Sequence, residues 1–303
     1  MRDLVVFVAT RREDVPAGCA RYISVDGTVP GYTLRWDHHS TGERINLDAM
    51  PEQFDTTGFD GVGTTLADMD AVASVVAVLF GGKGNLPPRA RAILESASHW
   101  CDYLTPHPAH DGETNRLGRG VHDAIATELA GPHESASARF DNASRDLAGI
   151  IERGEPLPYA DTWPRELARA AVVAREGRIQ LFGRVALVDL RERGTVDPLA
   201  IYTLHDRPIG VTWGTRRDGG SVYTVGINPF VEPRPSDLGP ALRALAAAEF
   251  EHGKPARGPE PVPGNENWGG RRTVFGSPWN YGSRLEPEEV VAIVREAMER
   301  TVP

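Results

Sequence analysis

The sequence predicts an α/β protein in which a domain built on a parallel sheet is followed by a smaller α+β domain. In the first half, short apolar runs alternate with segments of helical periodicity, as in a parallel sheet with crossover helices. In the second half, β-rich segments follow one another across Gly and Asp turns, as in antiparallel sheets. The Pro-rich connection 154–164 separates the two patterns, so we expect domains over 1–157 and 158–303.

The elements of the first half are predicted from compact runs that end in polar turns. The continuously apolar run over 4–8 indicates a buried strand. Two further β-rich segments, 22–25 and 32–36, end at Asp-Gly and at Asp-His-His. The polar stretch 104–120 is predicted to be a loop. Helices are predicted over 69–80, 88–103, 120–130 and 136–153.

The second half is predicted to begin with a helix over 163–176 and to end with a helix over 287–300. Pro287 suits the first position of that last helix. A further helix over 236–251 follows Ser236, a plausible N-cap. The strands of this half are expected near 178–190, 199–204, 208–216, 222–228 and 272–276.

The charge balance and the cysteine content exclude several classes of protein. The formal net charge is −9, so we expect no long nucleic acid partner but allow a small anionic substrate in a locally basic pocket. The two cysteines form no CxxC pair, which argues against a disulfide scaffold or a zinc knuckle. The first apolar run is too short for a signal peptide, and the longest, 72–80, is too short to cross a bilayer. We therefore expect a cytoplasmic protein that does not associate with membranes.

Acidic residues and histidines gather where the predicted strands and helices begin or end. Asp37, His38 and His39 follow a strand, and open α/β sheets bind ligands at the carboxyl ends of their strands. Clustered carboxylates repel one another unless a cation lies among them, and Mn²⁺ or Mg²⁺ accepts carboxylate and imidazole ligands. Two such ions would activate a water for displacement at phosphorus. The candidate metal ligands are Asp26, Asp37, His38, Asp68, Asp70 and Asp102.

These residues also have purely structural interpretations. Asp68 stands three residues after Thr65, in the spacing of a capping box. Asp70 shares a helix face with the serine four residues later, and such a face is compatible with solvent exposure. Asp26 belongs to an Asp-Gly dipeptide, which is typical of turns. The two adjacent histidines are compatible with a surface pair at a strand end.

Two stretches of the sequence resemble the DHH phosphoesterase superfamily. Asp37-His38-His39 matches the D-H-H motif of that family, and Ala67–Ser74 matches its D-x-D-(A/G)-x-x-S motif. The resemblance implies a parallel-sheet catalytic domain with a two-metal site, joined to a smaller C-terminal domain that binds substrate. The motif order is altered, because here D-x-D follows D-H-H. The segment after the first strand, Thr10–Asp14, lacks the His and paired Asp of the family.

The C-terminal half contains a candidate substrate loop. Trp268–Thr273 loosely resembles the Gly-Gly-rich substrate loop of the family's smaller domain, with Arg271 where the family has a His. Arginine side chains and backbone N–H groups in Gly-rich segments suit an anion. The candidate substrate-binding residues are Gly269, Gly270, Arg271, Arg272, Ser277, Arg284 and, from the predicted loop of the first half, His107.

One function and two alternatives follow from these observations. We expect a metal-dependent, phosphoesterase-like hydrolase with two Mn²⁺ or Mg²⁺ ions that acts on a small nucleotide or phosphorylated metabolite. Asp37 and His39 would be its catalytic residues. The altered motif order is also compatible with a relative that binds such a ligand without cleaving it. A metal-independent acid/base enzyme would instead use the histidines between His107 and His122.

Overall fold

The computed structural model describes residues 4–38, 43–131, 135–193, 196–216, 219–253, 267–278 and 282–299. The chain divides into two compact units, Met1–Thr162 and Trp163–Pro303. The first has a parallel sheet with helices and the second a mainly antiparallel sheet with helices, so the predicted fold class is confirmed. The assignment of catalysis to one domain and substrate binding to the other stays a prediction.

The described part of the first unit contains a four-stranded sheet in the order β1-β4-β2-β3. All of its neighbouring strands are parallel, which brings their carboxyl ends to one edge. Apolar side chains of the sheet and of the covering helices form a large core, and a smaller apolar cluster contains Phe7 of β1 and Tyr22 of β2. The strands are β1 (Val5–Val8), β2 (Tyr22–Val25), β3 (Leu34–Trp36) and β4 (Gly61–Thr64).

The strand β4 was not predicted, because its sequence Gly-Val-Gly-Thr lacks the bulky residues that mark strands. The glycines are required by packing against the neighbouring strand. A Cβ on Gly63 would lie 2.5 Å from Cε2 of Phe7, so a larger residue would displace the Phe7 ring. β4 lies between β1 and β2, and the sheet therefore depends on a strand that carries little sequence signal.

The helices of the first unit correct two expectations. The N-cap of the helix that follows β4 is Asp68 itself, whose side chain accepts the Ala71 N–H at 2.9 Å, so the capping box with Thr65 is wrong. The predicted loop 104–120 ends early, because Asp111 caps a helix that begins at Gly112. The helices are α1 (Asn46–Ala49), α2 (Met69–Leu79), α3 (Pro88–Tyr103), α4 (Gly112–Leu129) and α5 (Ala136–Arg153), with short 3₁₀ turns at Arg12–Asp14 and Lys83–Asn85.

The described part of the second unit contains a six-stranded sheet in the order β5-β6-β7-β8-β10-β9. Its pairs are antiparallel except β6 with β7. The strands are β5 (Ile179–Phe182), β6 (Val185–Asp189), β7 (Ile209–Thr215), β8 (Ser221–Ile227), β9 (Gly269–Gly270) and β10 (Val274–Gly276). The helices are α6 (Trp163–Arg175), α7 (Pro198–Tyr202), α8 (Gly239–Glu251) and α9 (Pro287–Glu299).

Two expectations for the second unit are wrong. The segment 199–204 is not a strand, because Asp197 caps the short helix α7 and Pro198 occupies its first turn. Its run of four buried residues gave no periodicity that distinguishes helix from strand. Ser236 is not the N-cap of α8, which begins at Gly239 after Leu238. None of the helices in the described ranges is long and apolar enough to cross a membrane.

Candidate metal centre

The candidate site of the first unit lies where three parallel strands end. Asp26 directly follows β2, and Asp37 and His38 directly follow β3. β4 leads into α2, whose N-terminus carries Asp68 and Asp70. Because β4, β2 and β3 are neighbours with the same direction, these residues meet at one edge of the sheet.

The imidazole of His38 is the centre of this cluster. Its Nε2 atom lies 3.1 Å from Oδ1 of Asp26, 3.6 Å from Oδ2 of Asp70 and 3.8 Å from Oδ2 of Asp102. Asp102 reaches the cluster from the last turn of α3. Ligand atoms of Asp26, His38 and Asp70 all lie within 4.8 Å of one another, and all three residues are buried. The sequence-predicted ligands Asp26, His38, Asp70 and Asp102 thus come together.

The hydrogen bonds of His38 determine which ring nitrogen faces the carboxylates. Nδ1 lies 3.1 Å from the backbone carbonyl of Arg44. A carbonyl only accepts, so Nδ1 carries the proton and donates it. In the neutral ring, Nε2 then directs a lone pair at the carboxylates, which are themselves acceptors. This is the arrangement of a metal-binding histidine, whose second nitrogen is held by a backbone carbonyl.

Asn46 holds the cluster together and was not identified from the sequence. Its side-chain oxygen accepts the His38 backbone N–H at 3.1 Å, and its own backbone N–H donates to Oδ2 of Asp70 at 2.9 Å. Its amide Nδ2 donates to Oγ of Ser74 at 2.8 Å. Asn46 is fully buried at the start of α1. The available signal was a polar residue between two apolar ones, which is too common to indicate a site.

The carboxylates of the cluster are held in an environment that disfavours their negative charge. Burial, and then the charge of Asp26, raise the pKa of Asp70 to about 6, against an opposing effect of His38. Burial and then the charge of Asp26 also raise the pKa of Asp68 well above its usual value. Oδ1 of Asp70 is buried and accepts no hydrogen bond from the described residues. A divalent cation would compensate the negative charge of these buried carboxylates, so these residues fit a metal.

The two residues predicted to be catalytic have different outcomes. Asp37 is buried directly before His38, and its Oδ2 lies 4.0 Å from Nη1 of Arg35. His39 lies outside the described residues. The roles of both stay predictions.

The predicted substrate residues of the second unit take part in its internal hydrogen bonding. Oγ of Ser277 accepts the Tyr223 N–H at 3.0 Å, and Nη1 of Arg284 donates to the His252 carbonyl at 2.8 Å. Arg272 is exposed, with Nη1 3.4 Å from Oδ2 of Asp237. Gly269 and Gly270 form β9, and the Arg271 N–H donates to the Val274 carbonyl in the adjacent turn. Substrate binding by these residues stays a prediction.

The histidines of the α3–α4 connection form a separate cluster. His107 stacks on His110 with ring centroids 4.3 Å apart, and its pKa is lowered by burial and then by His110. Nε2 of His110 lies 3.1 Å from Oε2 of Glu95. His122 lies within α4, where its Nδ1 contacts Oδ1 of Asp123 at 2.9 Å. Each of these last two histidines has a carboxylate partner of its own.

Comparisons with known proteins give no sequence relative. The chain matches no protein family and no curated protein. Among solved structures it is similar to a pGpG-specific phosphodiesterase, PggH, from Vibrio cholerae, at 12% identity over 92% of this chain and 99% of that chain, with a TM-score of 0.42. An exopolyphosphatase-related protein from Bacteroides fragilis matches at 11% identity over 93% of this chain and 71% of that chain, with a TM-score of 0.35. At these TM-scores the similarities carry no argument about fold or activity.

Proposed function

We propose that this protein is a metal-dependent hydrolase of the phosphoesterase type, acting on a small nucleotide or a phosphorylated metabolite. One observation carries the proposal. Three buried ligand residues, Asp26, His38 and Asp70, present atoms within 4.8 Å of one another at the carboxyl edge of a parallel sheet. The His38 ring is fixed with Nε2 towards the carboxylates. Such a cluster of acceptors is costly to bury without a cation.

Asp26, His38 and Asp70 would hold the metal, and Asp68, Asp102 and Asp37 supply further carboxylates for a second ion. Oxygen and imidazole donors without thiolates favour Mn²⁺ or Mg²⁺. Bound there, a divalent ion would supply Lewis acidity towards a phosphoryl oxygen and lower the pKa of a water.

The residues of the chain orient this site and control its access. The Arg44 carbonyl fixes the His38 ring, and Asn46 fixes the Asp70 carboxylate. The side chains of His38 and Asp70 are fully buried, whereas that of Asp102 is 11% exposed. We expect the phosphate group to approach from the Asp102 side. Arg271 and Arg272 remain our candidates for binding the anion.

Metal analysis combined with a phosphoester panel tests the proposal. Protein stripped with chelator would be reconstituted with Mn²⁺ or Mg²⁺, freed of excess metal, and analysed by inductively coupled plasma mass spectrometry. The panel would include an aryl phosphodiester, an aryl phosphomonoester, dinucleotides and polyphosphate. We expect at least stoichiometric metal and hydrolysis of one class that stops in EDTA.

The alternatives give different results in the same experiment. Less than stoichiometric metal after reconstitution would overturn the proposal. Metal and ligand binding without turnover on any substrate would indicate the non-hydrolytic relative. Hydrolysis that persists in EDTA, and that Asp70→Asn does not affect, would indicate the acid/base enzyme built on the histidines between His107 and His122.

A further inference from the structure

A cavity of about 630 Å³ lies in the first unit, away from the metal centre. It is bounded by the N-terminal half of α3, by the middle of α4 and by residues 154–159, which we call the strap. Its walls are mainly aliphatic and proline side chains, and the aliphatic ones include Ile93, Leu117, Val121, Ile151 and Leu157. A volume of this size and an apolar lining are typical of small-molecule sites.

The cavity is separate from the carboxylate cluster. Its α3 residues end at Ile93, whereas Asp102 of the cluster lies nine residues further along the same helix. At a rise of about 1.5 Å per residue, this separation is about 13 Å. An occupant of the cavity would therefore not be a ligand of the metal.

The strap is fixed in place, so the cavity is built into the folded unit. The Ala160 N–H donates to the Gly120 carbonyl of α4 at 3.0 Å. The Tyr159 ring lies directly against Gly120, where a Cβ would be 2.1 Å from Cδ2 and Cε2 of the ring. A glycine in the middle of a helix costs about 1 kcal/mol relative to alanine. Here the glycine provides the space in which the strap binds to α4.

The charged residues at the cavity leave one positive charge, that of Arg116, without a carboxylate partner among the described residues. Arg153 neutralises Glu155 through two hydrogen bonds of 2.8 Å, and Nη2 of Arg89 lies 3.3 Å from Oε1 of Glu113. Arg116 is exposed and contacts Tyr159, through the hydroxyl at 3.2 Å and the ring face. It makes no ion pair with any carboxylate of the described residues. An apolar cavity with such an arginine at its edge is complementary to an apolar molecule with one anionic end.

We propose that this cavity binds a ligand with an aliphatic body and a single anionic head group, with Arg116 as the residue that recognises the head group. The body is aliphatic because most of the walls are aliphatic and proline side chains, and because Tyr159, the aromatic residue of the lining, already packs against Gly120 and has Arg116 over its ring. A carboxylate and a phosphate monoester both satisfy this description, since the guanidinium group binds either.

Titration calorimetry with three probes below their micelle concentrations tests the proposal. Dodecanoate and dodecyl phosphate carry the two anionic head groups, and dodecyltrimethylammonium carries a cationic one. We expect saturable, equimolar binding of at least one anionic probe and no comparable binding of the cationic probe. The tighter of the two anionic probes identifies the head group. Protein with and without Mn²⁺ should give the same affinity, because the two sites are separate.

Three variants locate the binding. Arg116→Gln should weaken the anionic probe about tenfold, because a charge-assisted hydrogen bond is lost. The matched control Arg175→Gln, at an exposed arginine of α6 in the second unit, should leave the affinity unchanged. Gly120→Ala should weaken all binding by moving the strap, while circular dichroism shows the helix content retained.

Several outcomes would overturn the proposal. Absence of saturable binding by either anionic probe is one, and equal binding of the cationic probe is another. An unchanged affinity in Arg116→Gln would remove the head-group assignment and with it the proposal. A dimer in solution that dissociates on Tyr159→Ser would indicate that a second copy of the chain covers the cavity instead.

Discussion

Asp70 in the first unit and Glu249 in the second both carry carboxylates that are fully excluded from solvent. They differ in the hydrogen bonds that their oxygens accept. Glu249 accepts three hydrogen bonds: from Nε1 of Trp268 at 3.1 Å, from Oγ of Ser283 at 2.5 Å and from the Arg284 N–H at 2.9 Å. Asp70 accepts the Asn46 N–H on Oδ2, while Oδ1 accepts none from the described residues.

The comparison separates a buried acid with a structural role, Glu249, from Asp70, which we propose as a metal ligand. Hydrogen-bond donors around a buried carboxylate stabilise its negative charge. The carboxylate in turn fixes the positions of the segments that supply the donors. Glu249 thereby connects α8 to the segments around Trp268 and Arg284, which the sequence had indicated as a substrate loop. A buried carboxylate beside other carboxylates, with a hydrogen-bond donor on one oxygen alone, has less compensation, and a cation is the group that would supply the rest.

Removal of the Asp70 charge should have the largest effect, a loss of metal affinity and of hydrolysis without a loss of stability. Asp70→Asn should lower metal affinity by more than about 100-fold and hydrolysis by about 1,000-fold, because a bound metal contributes several kcal/mol to the transition state. The metal-free variant should be as stable as the parent or more stable, since an amide donor replaces a buried charge. Calorimetric metal titration and urea unfolding in EDTA would measure both. Asp55→Asn, at an exposed acid, is the control.

Replacement of Glu249 should have the opposite profile. Glu249→Gln places an amide nitrogen against buried donors, and each donor left unsatisfied costs about 1–3 kcal/mol. We expect the second unit to lose about 3 kcal/mol of stability. Metal affinity in the first unit should be unchanged, as measured by the same titration on folded protein. If metal affinity fell as much as in Asp70→Asn, the distinction between the two acids would be wrong.

Asn46 tests whether hydrogen bonds around the cluster matter as much as its charges. Asn46→Ala removes the acceptor of the His38 N–H and the donor to Ser74. Groups that orient metal ligands typically contribute about 10- to 100-fold in metal affinity, and we expect a loss in that range. The matched control is Asn85→Ala, which removes exposed hydrogen bonds to the Phe80 and Gly81 carbonyls. An equal affinity in Asn46→Ala and Asn85→Ala would show that Asn46 does not position the ligands.

The smallest expected effect is a pH-dependent loss of stability when Asp123 is replaced. Burial disfavours its charge, but hydrogen bonds from His122 and Thr162 and the charge of Arg119 outweigh burial and lower its pKa. A lowered carboxyl pKa stabilises the fold above the unfolded value of about 4, and this stabilisation is lost as the pH falls. Asp123→Asn should therefore cost about 1 kcal/mol at pH 6 and less at pH 3 in urea unfolding. A cost that does not change with pH would contradict this assignment.

Much of the site could be predicted because its residues stand at the ends of elements with strong local patterns. The apolar run of β1, the β-rich segments of β2 and β3 and the buried helix α2 are evident in the sequence. Strand β4 was missed because packing, rather than residue preference, requires its glycines. Asn46 was missed because its importance lies in three contacts with residues 8 to 28 positions away in sequence.

The sequence by itself determined the α/β class; it also predicted two different halves and indicated the residues that we propose as ligands of a cation. These follow from local periodicity and from the chemistry of Asp and His side chains, which need no knowledge of distant neighbours. Only the tertiary structure decided which acids gather around His38 and which carboxylate, Glu249, is satisfied by donors. The physical reason is that the cost of burying a charge depends on the groups that surround it, and these come from distant parts of the chain.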